Sequence, residues 1–290
     1  MKIAFQIDGG LGKCIMATAV CENIKRQEPN SELIVICGYP DVFLNNPWVD
    51  KVYAFGQASY FYQDVIMPGD VKVHLHNPYL ETNHVLRKEH LLKTWCRMFG
   101  YMYNGEFPQL YLTERERNFY SQKFASDKPL MLIQSNGGGG GVQKYSWARD
   151  MPYHIAMAAV EEFKNDYTIL HIRREDQLEL PGTIALTDNF RSICTALLMS
   201  KKRFLIDSFV QHAAAAFNLH STVLWITNTP GVFGYDVHTN IEANPFTKRP
   251  EIRNSMYHPF NIEGEPLEFP YHSESEIFDV DKVIEALKRS

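Results

Sequence analysis

Short apolar runs alternate with longer amphipathic stretches nearly from end to end of the chain. Residues 2–7, 33–37, 51–55, 71–76, 130–134, 167–171, 183–186, 203–206 and 222–226 read as strands. Apolar positions at helical spacing fill 13–27, 84–99, 113–124, 151–164, 190–200 and 208–217. Strands alternating with helices of this length predict βαβ units and parallel sheets, an α/β protein. Gly100 ends one helical stretch, and Asp150 stands where it can cap the helix that begins beside Pro152.

The rhythm pauses at 125–128 and restarts at Pro129. That pause predicts one lobe over 1–126 and a second over 127–274, with a closing helix in 275–290. Between 231 and 273 the chain is rich in Pro, Asn, Gly and His and has no clear period. At 290 residues, two lobes suit the length.

Composition narrows the class. Apolar residues are 45% and charged residues 22% of the chain, a globular balance. The net charge is −5 and no block of Lys or Arg occurs, which argues against an avid, non-specific nucleic-acid binder. The five cysteines form no CxxC pair and sit in apolar stretches, as reduced thiols do. No stretch carries the roughly 18 apolar residues of a membrane span, and the amino terminus has no signal-peptide core. A soluble cytoplasmic protein without stable membrane insertion is expected.

Three segments carry chemistry. In IDGGLGKCIMATAV (7–20) a strand ends at Asp8, Gly9, Gly10 and Gly12 follow, and a helix begins. Glycines let the backbone turn sharply and approach a ligand, while free helix-start amides suit anions. The spacing is not GxGxxG, and an ordinary strand-to-helix turn reads from the same residues. In LIQSNGGGGGVQKYSWARDMP (132–152) a strand runs into five glycines, including Gly138 and Gly139, and then Lys144. Such a run gives up backbone entropy, which fits close approach by a ligand; a surface loop with a solvated lysine is the alternative. The order is not GxxxxGK[ST], so a P-loop is not expected.

In RFLIDSFVQHAAAAFNLHSTVLWITNTP (203–230) a strand delivers Asp207 and Ser208 to a helix start, with His212 one turn on. Asp207 as a plain cap and His212 as a core histidine are the bland readings. Arg173 and Arg174 follow another strand end, where a diphosphate clamp or solvated loop arginines both fit. His74, His76, His84 and His90 lack the further ligands of a metal site, and none is expected.

A strand–Gly–Leu–Gly–helix start, a mid-chain glycine loop with Lys and Trp, and a late Asp-Ser-x-x-x-His-x-Ala-Ala-Ala helix resemble, in that order, glycosyltransferase family 9. The resemblance covers most of 1–230, including NNPWVDKVYAF (45–55) and LYLTERERNFY (110–120). It implies the GT-B architecture: two Rossmann-like lobes with a cleft between them. It implies a heptosyltransferase-like, metal-independent and inverting enzyme without a cofactor, moving a sugar from a nucleotide-diphosphate sugar to an acceptor hydroxyl.

Carried over by position, Gly10, Gly12, Gly138, Gly139, Lys144, Arg173, Asp207, Ser208 and His212 would bind the donor. Where the family has Gly-Asp, this chain has Gly12-Lys13, and where the family has Gly after Asp-Ser it has Phe209. The family's aspartate is its catalytic base. A protonated lysine is a poor proton acceptor, so Asp8 is expected to take that role with Lys13 steering an anion. The acceptor class stays open among a glycan, a glycolipid and a modified DNA base of the kind some virus-encoded GT-B enzymes act on. A non-catalytic nucleotide-sugar binder is the alternative outside enzymes.

Overall fold

A computed structural model describes residues 1–137, 145–249 and 269–290. The chain divides into two compact units, Met1–Glu114 and Arg115–Ser290. Each is built on one parallel sheet, the α/β architecture expected from the alternating pattern.

In the first unit, β1 (Lys2–Ile7), β2 (Glu32–Cys37), β3 (Lys51–Ala54) and β4 (Val71–His74) are ordered β3-β2-β1-β4. Helix α1 (Leu11–Gln27) follows β1, and its small residues Cys14, Ala17, Ala19 and Cys21 bury against the sheet. Phe5 of β1 meets Trp95 and Phe99 edge-on at 5.5 and 5.2 Å, which docks α3 (Leu91–Met98). The single helix expected over 84–99 is broken. α2 (Thr82–Val85) stops before Arg87, whose φ is +51°, and the His90 ring accepts from the Leu92 amide to start α3. A short π-helical turn at Tyr62–Ile66, unread in the sequence, packs Val65 against Ala4 and Ile34.

The second unit takes in α4 (Glu114–Ser121) from its second residue onward, and Glu116 forks onto Arg191 with bonds of 2.8 and 2.9 Å. Its strands are β5 (Leu130–Ile133), β6 (Thr168–Ile172), β7 (Ile184–Leu186), β8 (Lys202–Ile206), β9 (Thr222–Trp225) and β10 (Thr239–Glu242). They run parallel in the order β10-β9-β8-β5-β6-β7. The connecting helices are α5 (Tyr153–Phe163), α6 (Phe190–Met199), α7 (Phe209–Ala216) and α8 (Pro230–Phe233). β10 lies where no period was legible: four residues, half-exposed at a sheet edge, carry no apolar alternation. Asn240 nonetheless accepts from the buried Trp225 indole at 2.8 Å. The closing helix α9 (Val280–Arg289) is capped by Asp279, and buried Lys202 donates to the Leu287 and Ser290 carbonyls at its other end.

All five cysteines are free and buried. No helix among the described residues is long and apolar enough to cross a membrane.

Burial holds four imidazoles neutral. His74 and His84 in the first unit, and His171 and His238 in the second, are each pushed down to about 4 by loss of solvent. In the unfolded chain the same rings titrate near 6.5. Between those values the unfolded state takes up protons that the folded state resists. Stability is therefore fully present above pH 6.5 and is lost as pH falls through 4. A melting temperature lower by roughly 5–10 °C at pH 4.5 than at pH 7 is expected. A flat profile over that range contradicts it.

Candidate functional site

In a parallel sheet the strand order reverses at one place, and there the loops leaving the carboxyl ends of two neighbouring strands diverge and open a crevice. In the first unit that place lies between β1 and β4; in the second, between β5 and β8. Asp8 and Gly10 stand at the first, and Ser208 and Arg173 at the second.

At the first, β1 ends at Ile7 and the chain turns through Asp8, Gly9 and Gly10 into α1. Gly9 has φ +123°, and a Cβ there would meet Lys13 Cδ at 2.9 Å, so this glycine is the one the turn requires. Gly10 is the helix N-cap and has open space around it, while Gly12 lies inside the first helical turn. Asp8 is exposed and accepts from Gln6 at 3.0 Å. The N-cap position of α1 carries no side-chain cap bond, so Asp8 is not spent on capping.

Lys13 is not positioned as the steering role assumed. Its side chain turns inward and is 5% exposed. The ammonium donates to Asn77 Oδ1 at 2.8 Å and lies 4.7 Å from the Tyr79 ring centroid and 5.5 Å from that of Trp95. Burial lowers its pKa, while the Asp8 charge opposes that. An amide oxygen and two ring faces are partners for a cation, so the lysine ties α1 to the segment after β4. His74 stacks on Phe99 at 4.1 Å and His84 on Tyr79 at 5.0 Å. Among the described residues no three His, Cys, Asp or Glu side chains converge as a metal site needs.

At the second reversal a cavity of about 410 Å³ opens at the carboxyl ends of β5, β6, β7 and β8. Ile172, Leu186, Ile193 and Phe209 make its apolar walls, and Gln134, Arg174, Glu175 and Asp188 are among its polar ones. Gln134 Nε2 donates to Ser208 Oγ at 3.1 Å, bridging the ends of β5 and β8. Ser208 is the N-cap of α7 and its side chain makes no cap bond, while the Gln211 amide of the first turn donates to the Ser208 carbonyl at 3.2 Å. Asp207 is buried, accepts from Asn228, and has the Arg149 guanidinium 4.0 Å away.

Two of the expected donor residues are engaged in the protein itself. The His212 ring is buried and its Nδ1 pairs with the Tyr235 hydroxyl at 2.9 Å, the core histidine of the blander reading. Arg173 lines the cavity yet donates to the carbonyls of Arg174 and Glu175 and pairs with Glu179, folding its own loop. Gly138, Gly139 and Lys144 lie outside the described residues.

Arg149 and Gln177 were not singled out from sequence. Arg149 packs so closely on Gly137 that a Cβ there would meet its Cδ at 2.9 Å. A basic residue five positions past Lys144 was the available signal. Gln177, buried and donating to the Gly137 carbonyl at 3.1 Å, left none. Asp150 is also not the helix cap expected of it; the N-cap of α5 is Pro152, and the Asp150 carboxylate faces back to Gly137 and Ser146.

The turn after β1 allows a sharp comparison. Gly9→Ala forces a side chain into a left-handed backbone and against Lys13, and should destabilise the chain by about 1–3 kcal/mol. Gly10→Ala, with open space and φ −81°, should stay within about 0.5 kcal/mol of the parent. Urea unfolding of both variants measures this, and equal losses would refute the assignment.

The sequence matches no family model and no curated protein. Solved structures do resemble the chain. A glycosyl transferase family 9 protein from Veillonella parvula DSM 2008 superimposes with a TM-score of 0.69 at 15% identity, over 99% of this chain and 96% of that one. The E. coli ADP-heptose lps heptosyltransferase II matches with a TM-score of 0.63 at 14% identity, over 83% and 90%. The iron-containing dodecameric glycosyltransferase TibC from enterotoxigenic E. coli H10407 matches at 0.59 and 12%, over 83% and 61%. With its two parallel sheets and coverage of nearly its whole length, the chain has the fold of the family 9 glycosyltransferases.

Proposed function

We propose that the protein is a glycosyltransferase that moves a sugar from a nucleotide-diphosphate sugar to an acceptor hydroxyl. The observation that carries this reading is the cavity at the β5–β8 reversal, in a chain with the fold of enzymes that use such donors. Its aliphatic walls and the Phe209 ring suit a nucleobase, and Glu175 and Asp188 suit ribose hydroxyls. Beside it, the uncapped start of α7 and the half-exposed Arg149 suit the diphosphate. Lys144 is proposed to add a further positive charge there. Phe209 stands where the family has Gly, so the space for the donor sugar differs from the family pattern.

The reaction is a direct displacement with inversion. The acceptor oxygen forms a bond to the anomeric carbon as the bond from that carbon to the diphosphate oxygen breaks. The acceptor proton passes to Asp8, and the electron pair leaves with the nucleoside diphosphate. Helix amides and basic side chains stabilise the growing charge on the leaving group, so no divalent ion is required. The acceptor is a glycan, a glycolipid or a modified DNA base. Five reduced cysteines suit the cytoplasm.

Lys13 in place of the family's aspartate favours a second reading, a binder of nucleotide sugars without turnover. Two measurements separate these readings. A nucleoside diphosphate at one hundred times its dissociation constant should stabilise the protein by about 2.7 kcal/mol, equally in EDTA and in magnesium. A shift that appears only with a divalent ion removes metal independence, and no shift with any nucleoside diphosphate removes the donor. Asp8→Asn should keep that binding and lower turnover by about 10²–10⁴. Near-parental turnover takes the base role away from Asp8, and a parent that binds without turning over is the binder.

A further inference from the structure

Three buried amide side chains line the 410 Å³ cavity, and each is committed to the protein. Gln134 Nε2 donates to Ser208 Oγ, and Gln177 Nε2 donates to the Gly137 carbonyl at 3.1 Å. The Gln177 oxygen accepts from the Arg174 amide at 2.8 Å. Asn136 donates to Asp150 at 3.2 Å, and its oxygen accepts from the Ser135 hydroxyl at 2.8 Å. Of these amide atoms, Gln134 Oε1 is the one without a partner among the described residues, and it is an acceptor.

The groups left to meet a ligand are charged: Arg174, Glu175 and Asp188. Arg174 is held through Nε, which donates to Asp176 at 3.0 Å, and its two terminal nitrogens make no bond among the described residues. Glu175 is exposed, and its carboxylate likewise has no partner among them. Asp188 is more engaged, accepting from Ser192 Oγ at 2.7 Å with Lys123 Nζ 3.3 Å away.

Charged groups and amides select different bases. Adenine and cytosine set an amino donor beside a ring-nitrogen acceptor, a pair that an amide side chain answers. Uracil has one N–H between two carbonyls. Guanine sets two donors side by side, N1–H and the 2-amino group, next to the O6 acceptor. An ionised carboxylate has two oxygens and no hydrogen, so it answers both donors, and a guanidinium answers O6. The hydroxyls of a ribose occupy one of the two carboxylates, and the other is left for the base. Ile172, Leu186, Ile193 and Phe209 supply apolar surface for the planar faces of that base.

We propose that this cavity selects guanine, with Glu175 accepting from N1–H and the 2-amino group and Arg174 donating to O6, so that the donor is a guanosine-diphosphate sugar. The inference rests on the reading of the cavity as the nucleotide-sugar site. Adenine in the same place turns its N1 lone pair toward the carboxylate, and uracil turns a carbonyl. Each sets acceptor against acceptor and leaves a polar group unmet.

The test uses the full chain in calorimetry, with GDP, IDP, ADP, UDP and CDP as probes. GDP should bind about tenfold or more tighter than ADP, UDP and CDP. IDP differs from GDP in lacking the 2-amino group, so it should bind about 10–100-fold more weakly than GDP. Glu175→Gln puts an NH2 where a carboxylate oxygen stood, and should bring GDP and IDP within about threefold of each other. Since Glu175 is exposed and unbonded within the described residues, this variant should melt with the parent. Arg174→Ala should weaken guanosine as well as GDP, by about tenfold each.

ADP, UDP or CDP binding as tightly as GDP overturns the proposal and leaves the donor reading standing. A parental GDP-to-IDP ratio in Glu175→Gln also overturns it. So does an Arg174→Ala that loses GDP but keeps guanosine, because the guanidinium then serves the phosphates. If none of the five diphosphates binds the parent, the donor reading itself has failed and this inference falls with it.

Discussion

Reversal of strand order in a parallel sheet is the constraint on which the rest of this molecule depends. Neighbouring loops on the same side of a sheet crowd one another, but on either side of a reversal they separate and leave room. Each unit then spans its gap with one polar bond: Lys13 to Asn77 between the ends of β1 and β4, and Gln134 to Ser208 between the ends of β5 and β8. Asp8 and Asp207 stand beside those bonds with partners of their own, Gln6 for the first and Asn228 for the second.

Charge taken out of water organises both places. A buried ammonium or carboxylate is tolerated only when its hydrogen-bonding capacity is met. Lys13 finds an amide oxygen and two aromatic faces, and Asp150 finds two backbone amides and a side-chain amide. In each case the demand for partners fixes backbone: the segment after β4 in one unit, and Gly137 and Ser146 in the other. Arg203 does the same for the turns before β8 and before β9, donating to the Ser200 and His220 carbonyls.

Phe209 and Lys13, the two departures from the pattern that the sequence resembles, act differently. Phe209 enters a cavity wall and meets Phe190 edge-on with centroids 6.4 Å apart, so it changes the shape offered to a ligand. Lys13 withdraws from the surface and becomes part of the fold. The lysine's long stem lets the charge reach a partner 64 residues away in sequence.

Local pattern determined the two parallel sheets, nearly every strand, and the turns after β1, β5 and β8 where the chemistry gathers. Strand and helix periods are written in neighbouring residues, so they can be read there. The broken helix at 84–99 escaped because His90 caps with its ring, a choice that apolar spacing does not record. β10 escaped because an edge strand with TNIE needs no alternation once Trp225 has Asn240 to bond. Which way Lys13 points, that His212 belongs to Tyr235, and that Asp150 serves Gly137 rather than α5 were decided by tertiary structure alone. Each is a long side chain or a buried polar group choosing among partners distant along the chain, and that choice is made by burial, which a sequence position does not carry.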